Sequence, residues 1–199
     1  MTKKEDKEFL NRIGTAKNKT PRYTNYFGWP LNRDDGELSV VNHLVKSLEL
    51  DNKNYLTEIK SRGRHNDPPD CEAKNESGKR VAIEVTELVD EDTIKAYKAG
   101  IKYNWANWNK SKFISSIESL LSRKDPKYHK LIEPPYPGGY VLIIFTDEPD
   151  LNRHKIQQFL DNHIFNVTKN ISQAFLLVSY DPSIKRCPYF ELKLNDSET

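Results

Sequence analysis

The chain has 199 residues, 36% hydrophobic and 30% charged, with a formal net charge of +2. That composition suits a polar single domain whose core draws on eight Phe, three Trp and ten Tyr. No apolar run approaches the ~20 residues that cross a bilayer, and two cysteines, Cys71 and Cys187, exclude a disulfide scaffold or a cysteine-rich zinc module.

Residues 1–33 hold eight Lys/Arg against Glu5, Asp6 and Glu8 and read as a basic arm. Its Tyr23, Tyr26, Phe27 and Trp29 are expected to dock its second half on a single domain formed by residues 34–199. The opening MTKKEDKEFLNRIG lacks an apolar stretch, so no secretory leader is expected and a reducing cytoplasm is the expected compartment. From Asp34 to Leu50 the spacing of Leu38, Val41, Leu44, Val45 and Leu48 predicts a helix capped by Asp34 or Asp35. NYLTEIKS predicts a strand, and RGRHNDPPD a loop stiffened by Pro68 and Pro69.

DCEAKNESGKRVAIEVTEL predicts a hairpin, with Val81, Ile83 and Val85 on one face and Ala82, Glu84 and Thr86 on the other. After Asp90 a helical pattern is interrupted near Gly100 and resumes through Phe113, Ile117, Leu120 and Leu121. Nine Lys/Arg fall between Lys95 and Lys130 against Glu118 and Asp125, a pattern that suits either a solvated face or a polyanion surface. GGYVLIIFTD predicts a strand buried on both faces, NRHKIQQFLDNHIF a helix, and QAFLLVSYD and PYFELKL two further strands. The order is that of an α/β domain with a mixed sheet flanked by helices. There is no Gly-rich phosphate loop, nucleophile elbow or dinucleotide fingerprint.

The hairpin concentrates the chemistry. A three-residue loop of Glu76, Ser77 and Gly78, with Gly78 left-handed, pairs Lys74 with Arg80, Ala73 with Val81, Glu72 with Ala82, Cys71 with Ile83 and Asp70 with Glu84. Two acids would then face each other with Cβ atoms ~4.5–5.5 Å apart, an arrangement that repels unless a cation or proton lies between them. A hard divalent ion such as Mg²⁺ suits such oxygens. A two-residue loop at Ser77-Gly78 would instead pair Asp70 with Val85 and separate the acids.

Pro69-Asp70, thirteen residues, then Glu84-Val85-Thr86 resembles the PD…(D/E)xK motif of the restriction-endonuclease-like nuclease superfamily. The helix, three strands, helix, strand order over about residues 34–146 is similar as well. The resemblance implies a restriction-endonuclease-like core of αβββαβ order. It also implies a nuclease dependent on Mg²⁺ or Mn²⁺, acting on DNA rather than RNA, with a homodimer where both strands are cut. It implies that Asp70, Glu84 and the Val85 carbonyl bind the metal and that Glu37 on the first helix completes the acidic cluster, with Glu49 a second choice. Thr86 stands at the motif's lysine position, where it can position water. The missing cation would then come from Lys95, Lys110 or Lys112, or the chain would be a catalytically inactive nucleic-acid-binding or regulatory module on the same fold.

Arg62, Arg64 and His65 precede the Pro-Asp loop and suit either phosphate contacts or plain solvation. Trp105 and Trp108, with Lys110 and Lys112 nearby, suit base stacking along a nucleic acid or, as an aromatic pair three apart, a place in the core. Cys71 alternates with the acids and is expected to be a buried, inert thiol. Five histidines show no metal-ligand spacing.

Overall fold

The computed structural model describes residues 33–53, 55–102, 105–166 and 168–195; the basic arm expected over residues 1–33 lies almost wholly outside them. Helix α1 (Arg33–Leu50) leads into β1 (Leu56–Ser61), a 3₁₀ turn (Arg64–Asn66), β2 (Cys71–Asn75) and β3 (Arg80–Glu87). Then come α2 (Glu91–Lys98), α3 (Lys110–Lys124), a second 3₁₀ turn (Asp125–Lys130), β4 (Tyr140–Thr146), α4 (Arg153–Leu160), β5 (Ile171–Val178) and β6 (Tyr189–Glu191). The result is an α/β fold with one six-stranded mixed sheet in sequential order, β1 to β6. The first three strands are antiparallel, β3, β4 and β5 are parallel, and β6 returns antiparallel. No helix of the described residues is long and apolar enough to cross a membrane.

Strands buried on both faces divide the core into two layers. Val81, Ile83, Val85, Val141 and Ile143 pack with Val40, Val41, Leu44 and Leu48 of α1. Ala82, Leu142 and Ile144 pack on the other side with Phe113, Ile117, Leu120 and Leu121 of α3. The apolar run of β4 follows from this double burial, each large side chain contributing ~1.5–3 kcal/mol. The helices begin where their side chains satisfy free N–H groups: Asp90 accepts from Thr93, Asn109 from Lys112 and Asn152 from Lys155. The helical pattern after Asp90 is two helices: Gly100, at φ 68°, follows the first, and residues 105–109 before α3 are non-helical.

The hairpin loop contains three residues. Asn75 Oδ1 accepts from the Ser77 N–H at 3.1 Å and the Lys79 N–H at 3.0 Å, and Gly78 takes φ 73°. Its register is Lys74 with Arg80, Ala73 with Val81, Glu72 with Ala82 and Cys71 with Ile83, which removes the two-residue-loop alternative. On the other side of β2, β1 carries an irregularity between Thr57 and Lys60, with Glu58 at φ 50°.

β4 starts against the beginning of β3 through a close backbone approach. The Gly138 N–H donates to the Arg80 carbonyl at 2.8 Å. A Cβ at Gly138 would stand 2.7 Å from that carbonyl oxygen and 2.8 Å from the Lys79 carbonyl oxygen. Gly138→Ala is therefore expected to cost about 1–3 kcal/mol, read as a lower urea midpoint with an unchanged m-value; an unchanged midpoint would show that this backbone can yield.

Candidate metal centre

The DPPD loop brings the chain to the site. Pro68 accepts from the Ile132 N–H at 2.8 Å, and the Asp70 carbonyl accepts from the Arg62 N–H at 3.0 Å. Cys71 opens β2 opposite Ile83, so Asp70 is one step beyond the paired strand, beside Glu84. Asp70 Oδ2 accepts from the Val85 N–H at 2.7 Å, the side chain filling a place in the ladder that β2 no longer fills. Asp67 adds a third carboxylate: Asp67, Asp70 and Glu84 each offer an oxygen, all within 4.8 Å of one another. Among the described residues no other trio of His, Cys, Asp or Glu comes together in this way.

The electrostatics follow from burial. Asp70 is 3% exposed and Glu84 fully buried. Desolvation first, then the charges of Glu84, Glu37 and Asp67, push the Asp70 carboxyl up to about 7, against the Val85 hydrogen bond that favours its ionised form. Glu37, near the start of α1, thus acts on Asp70 through its field while lying outside the trio. Glu49 is at the far end of α1. On the opposite face of the hairpin Cys71 is buried among the α1-side apolar residues, and burial holds its thiol up to about 12. That is an inert thiol.

Val85 and Thr86 take different places. The N–H groups of Ala82 and Leu88 donate to the β4 side, so the intervening odd residue Val85 turns its polar backbone groups towards Asp70. Its carbonyl therefore opens on the same edge as the carboxylates. Thr86 is half-buried on the Glu84 face, two residues along the strand.

The cation partners are not the expected ones. Lys124 Nζ and Lys127 Nζ each lie 2.6 Å from Glu84 Oε1. The ammonium of Lys127 is held above its ordinary range, burial opposing and the Glu84 hydrogen bond and charge prevailing. Lys124 ends α3 and Lys127 sits in the following 3₁₀ turn. Asp125 fixes that junction, accepting from the N–H groups of Asn170 at 2.8 Å and Ile171 at 3.0 Å. The three lysines named from the sequence are elsewhere. Lys95 pairs with Glu91 and Asp92 on exposed α2. Lys110 and Lys112 lie at the opposite end of α3, some ~18–21 Å along its axis from Lys124, and Lys112 pairs with Asp90 at 2.5 Å.

The remaining sequence candidates divide in the same way. Arg62 turns to Glu133 at 2.8 Å and Glu72 at 3.3 Å rather than to solvent. Glu72 also pairs with Arg80 at 2.8 Å, so an ionic group borders the carboxylates. Arg64 opens the first 3₁₀ turn; its side chain lies outside the described residues. Trp108 is core at 1% exposure, whereas Trp105 is 55% exposed. Sequence reasoning missed Asp67, Lys124 and Lys127. Lys124 stood in plain view, because it continues the buried spacing Phe113, Ile117, Leu120, Leu121 onto the core side of α3.

The donor set fits a hard divalent cation. It offers oxygens only, three carboxylates and the Val85 carbonyl, and Glu84 Oε2 is buried with no hydrogen-bond partner among the described residues. Without an ion, Asp70 ionises at a cost. Its folded-state value near 7 lies above the ordinary 3.8, so the native state holds a proton that the unfolded chain has released. Stability from this group is complete below about 3.8 and is lost as pH rises through about 7. In chelator, Asp70→Asn, which keeps an acceptor for Val85, should match wild type near pH 4 and exceed it by roughly 2–4 kcal/mol at pH 8. Denaturant titration across pH checks this, and added Mg²⁺ should stabilise wild type more than the variant; parallel pH profiles would exclude a strained Asp70. No family model, curated protein or solved structure matches the chain, so any functional conclusion rests on this constellation.

Proposed function

We propose that the protein is a divalent-metal-dependent nuclease, hydrolysing phosphodiester bonds in DNA rather than RNA, on a restriction-endonuclease-like core. The observation that carries this reading is the buried meeting of Asp70 and Glu84 at the open end of the β2–β3 hairpin, with Asp67 beside them and one Glu84 oxygen unpartnered among the described residues. The element order supports it: a helix, three antiparallel strands, helices, then a strand parallel to the third. The PD…ExT spacing supplies the link to nucleases, and the preference for DNA and for Mg²⁺ or Mn²⁺ comes from that resemblance.

In this reading Asp70 and Glu84 hold the ion together with the Val85 carbonyl, Asp67 joins them, and Glu37 acts at longer range. The bound ion would polarise the phosphodiester, lower the pKa of a water and stabilise charge on the departing oxygen. The chain's own residues prepare the place. The Val85 N–H fixes one Asp70 oxygen, Lys124 holds Glu84 through Oε1, and the Thr86 hydroxyl offers a hydrogen bond to a water on the same face. The cluster borders the basic end of α3, where Arg123, Lys124 and Lys127 follow one another and suit a phosphate backbone.

Thr86 at the motif's lysine position favours a second reading, a catalytically inactive nucleic-acid-binding module on the same fold. One experiment separates the two. Double-stranded and single-stranded DNA are incubated with wild type, Asp70→Ala and Glu84→Gln in Mg²⁺, Mn²⁺ or chelator. The nuclease reading expects ion-dependent cleavage lost by at least about 100-fold in both variants. Salt-sensitive binding without cleavage would establish the second reading, and cleavage untouched by Asp70→Ala would remove the site.

A further inference from the structure

Two ammonium groups share one oxygen. Lys124 and Lys127 both contact Glu84 Oε1 at 2.6 Å, while Oε2 of the same carboxylate is buried without a partner among the described residues. One carboxylate oxygen thus receives two cations, with the carboxylates of Asp67 and Asp70 beside it. The two lysines are not equivalent. The Lys124 side chain is 14% exposed, and its backbone carbonyl accepts from the Tyr140 hydroxyl at 3.2 Å. Lys127 comes from the 3₁₀ turn outside the helix, and its side chain is 38% exposed.

A divalent ion seated on Asp67, Asp70 and Glu84 Oε2 would place three cations around one carboxylate. Their repulsion is relieved at least cost by the ammonium that water already reaches, which is that of Lys127. We infer that Lys127 is an exchangeable cation: it neutralises Glu84 in the ion-free protein and passes to a phosphate of the nucleic acid when a divalent ion is seated, whereas Lys124 stays as a positioning residue that orients Glu84. This rests on the reading under Proposed function and deepens it, because the exchange makes ion and polyanion binding mutually reinforcing. By linkage, the factor by which the polyanion tightens the ion equals the factor by which the ion tightens the polyanion.

The test measures binding rather than turnover. Ca²⁺ affinity of the full chain is determined by calorimetry with and without a short DNA duplex, whose integrity is checked on a gel afterwards. Wild type should bind Ca²⁺ about 10-fold more tightly with the duplex. Lys127→Met should retain Ca²⁺ binding without the duplex, as tight as wild type or tighter, and lose most of the duplex effect; Lys127→Arg should restore it. Lys124→Met should weaken Ca²⁺ binding without the duplex and keep the duplex effect, with Lys124→Arg recovering the affinity and thermal melting reporting whether the fold persists. A full duplex effect in Lys127→Met would overturn the exchange, as would a Lys124→Met protein that loses the duplex effect while Lys127→Met keeps it. Absence of Ca²⁺ binding in wild type, or binding indifferent to Asp70→Ala, would overturn the metal reading itself.

Discussion

The structure is organised around a carboxylate that water does not reach. Glu84 sits in the middle of β3, a strand paired on one side by β2 and on the other by β4, and is fully buried. Burying an ionised carboxylate without compensation costs far more than a domain of this size can offset. The compensation comes from a distance in sequence: two lysines 40 and 43 residues away supply the charge. Asp125 then anchors the lysine-bearing junction to the backbone at the start of β5. Well-packed apolar side chains of similar volume in place of such a set are often neutral or stabilising.

The acidic cluster and its cations also explain why neighbouring groups are arranged as they are. Asp70 must stay close to Glu84 although both prefer to be apart, and the Val85 N–H holds it there as part of the strand ladder. Arg62 and Arg80 are engaged by Glu72, which keeps their guanidinium groups from collapsing onto the trio. Polar side chains on this part of the sheet thus form two adjoining ionic sets, one held mainly by arginine and one by lysine. The planar guanidinium suits the shared carboxylate of Glu72, and the compact ammonium suits two donors on one oxygen.

What could be read from the sequence was what local rules determine. Gly78 pointed to the three-residue loop while a two-residue loop stayed open; the Asn75 side chain's bonds to Ser77 and Lys79 and the pairing of Cys71 with Ile83 decide between them. Element order followed from periodicity, and the interruption expected near Gly100 is a full separation of two helices by a non-helical stretch before Asn109. The site's remaining members were harder, for different reasons. Asp67 reaches the cluster through the path of a proline-rich loop, which no periodicity describes. Lys124 was legible in principle: a lysine on the buried stripe of α3 has to meet an acid. Its partner could be named only once the chain's return over the sheet was known. Attention to residues near Thr86 pointed to Lys95, Lys110 and Lys112, since sequence distance says little about which end of a helix lies over the strand.

The two margins of the sheet bear on how copies of this protein behave towards one another. Among the described residues the six-stranded sheet ends at β1 on one side and β6 on the other. β1 is interrupted between Thr57 and Lys60 and carries the exposed Glu58–Lys74 pair, and β6 is three residues long. Neither presents the long, flat, apolar rim that recruits a foreign strand. Strand addition by a second copy therefore finds little to grip at either margin of the described sheet.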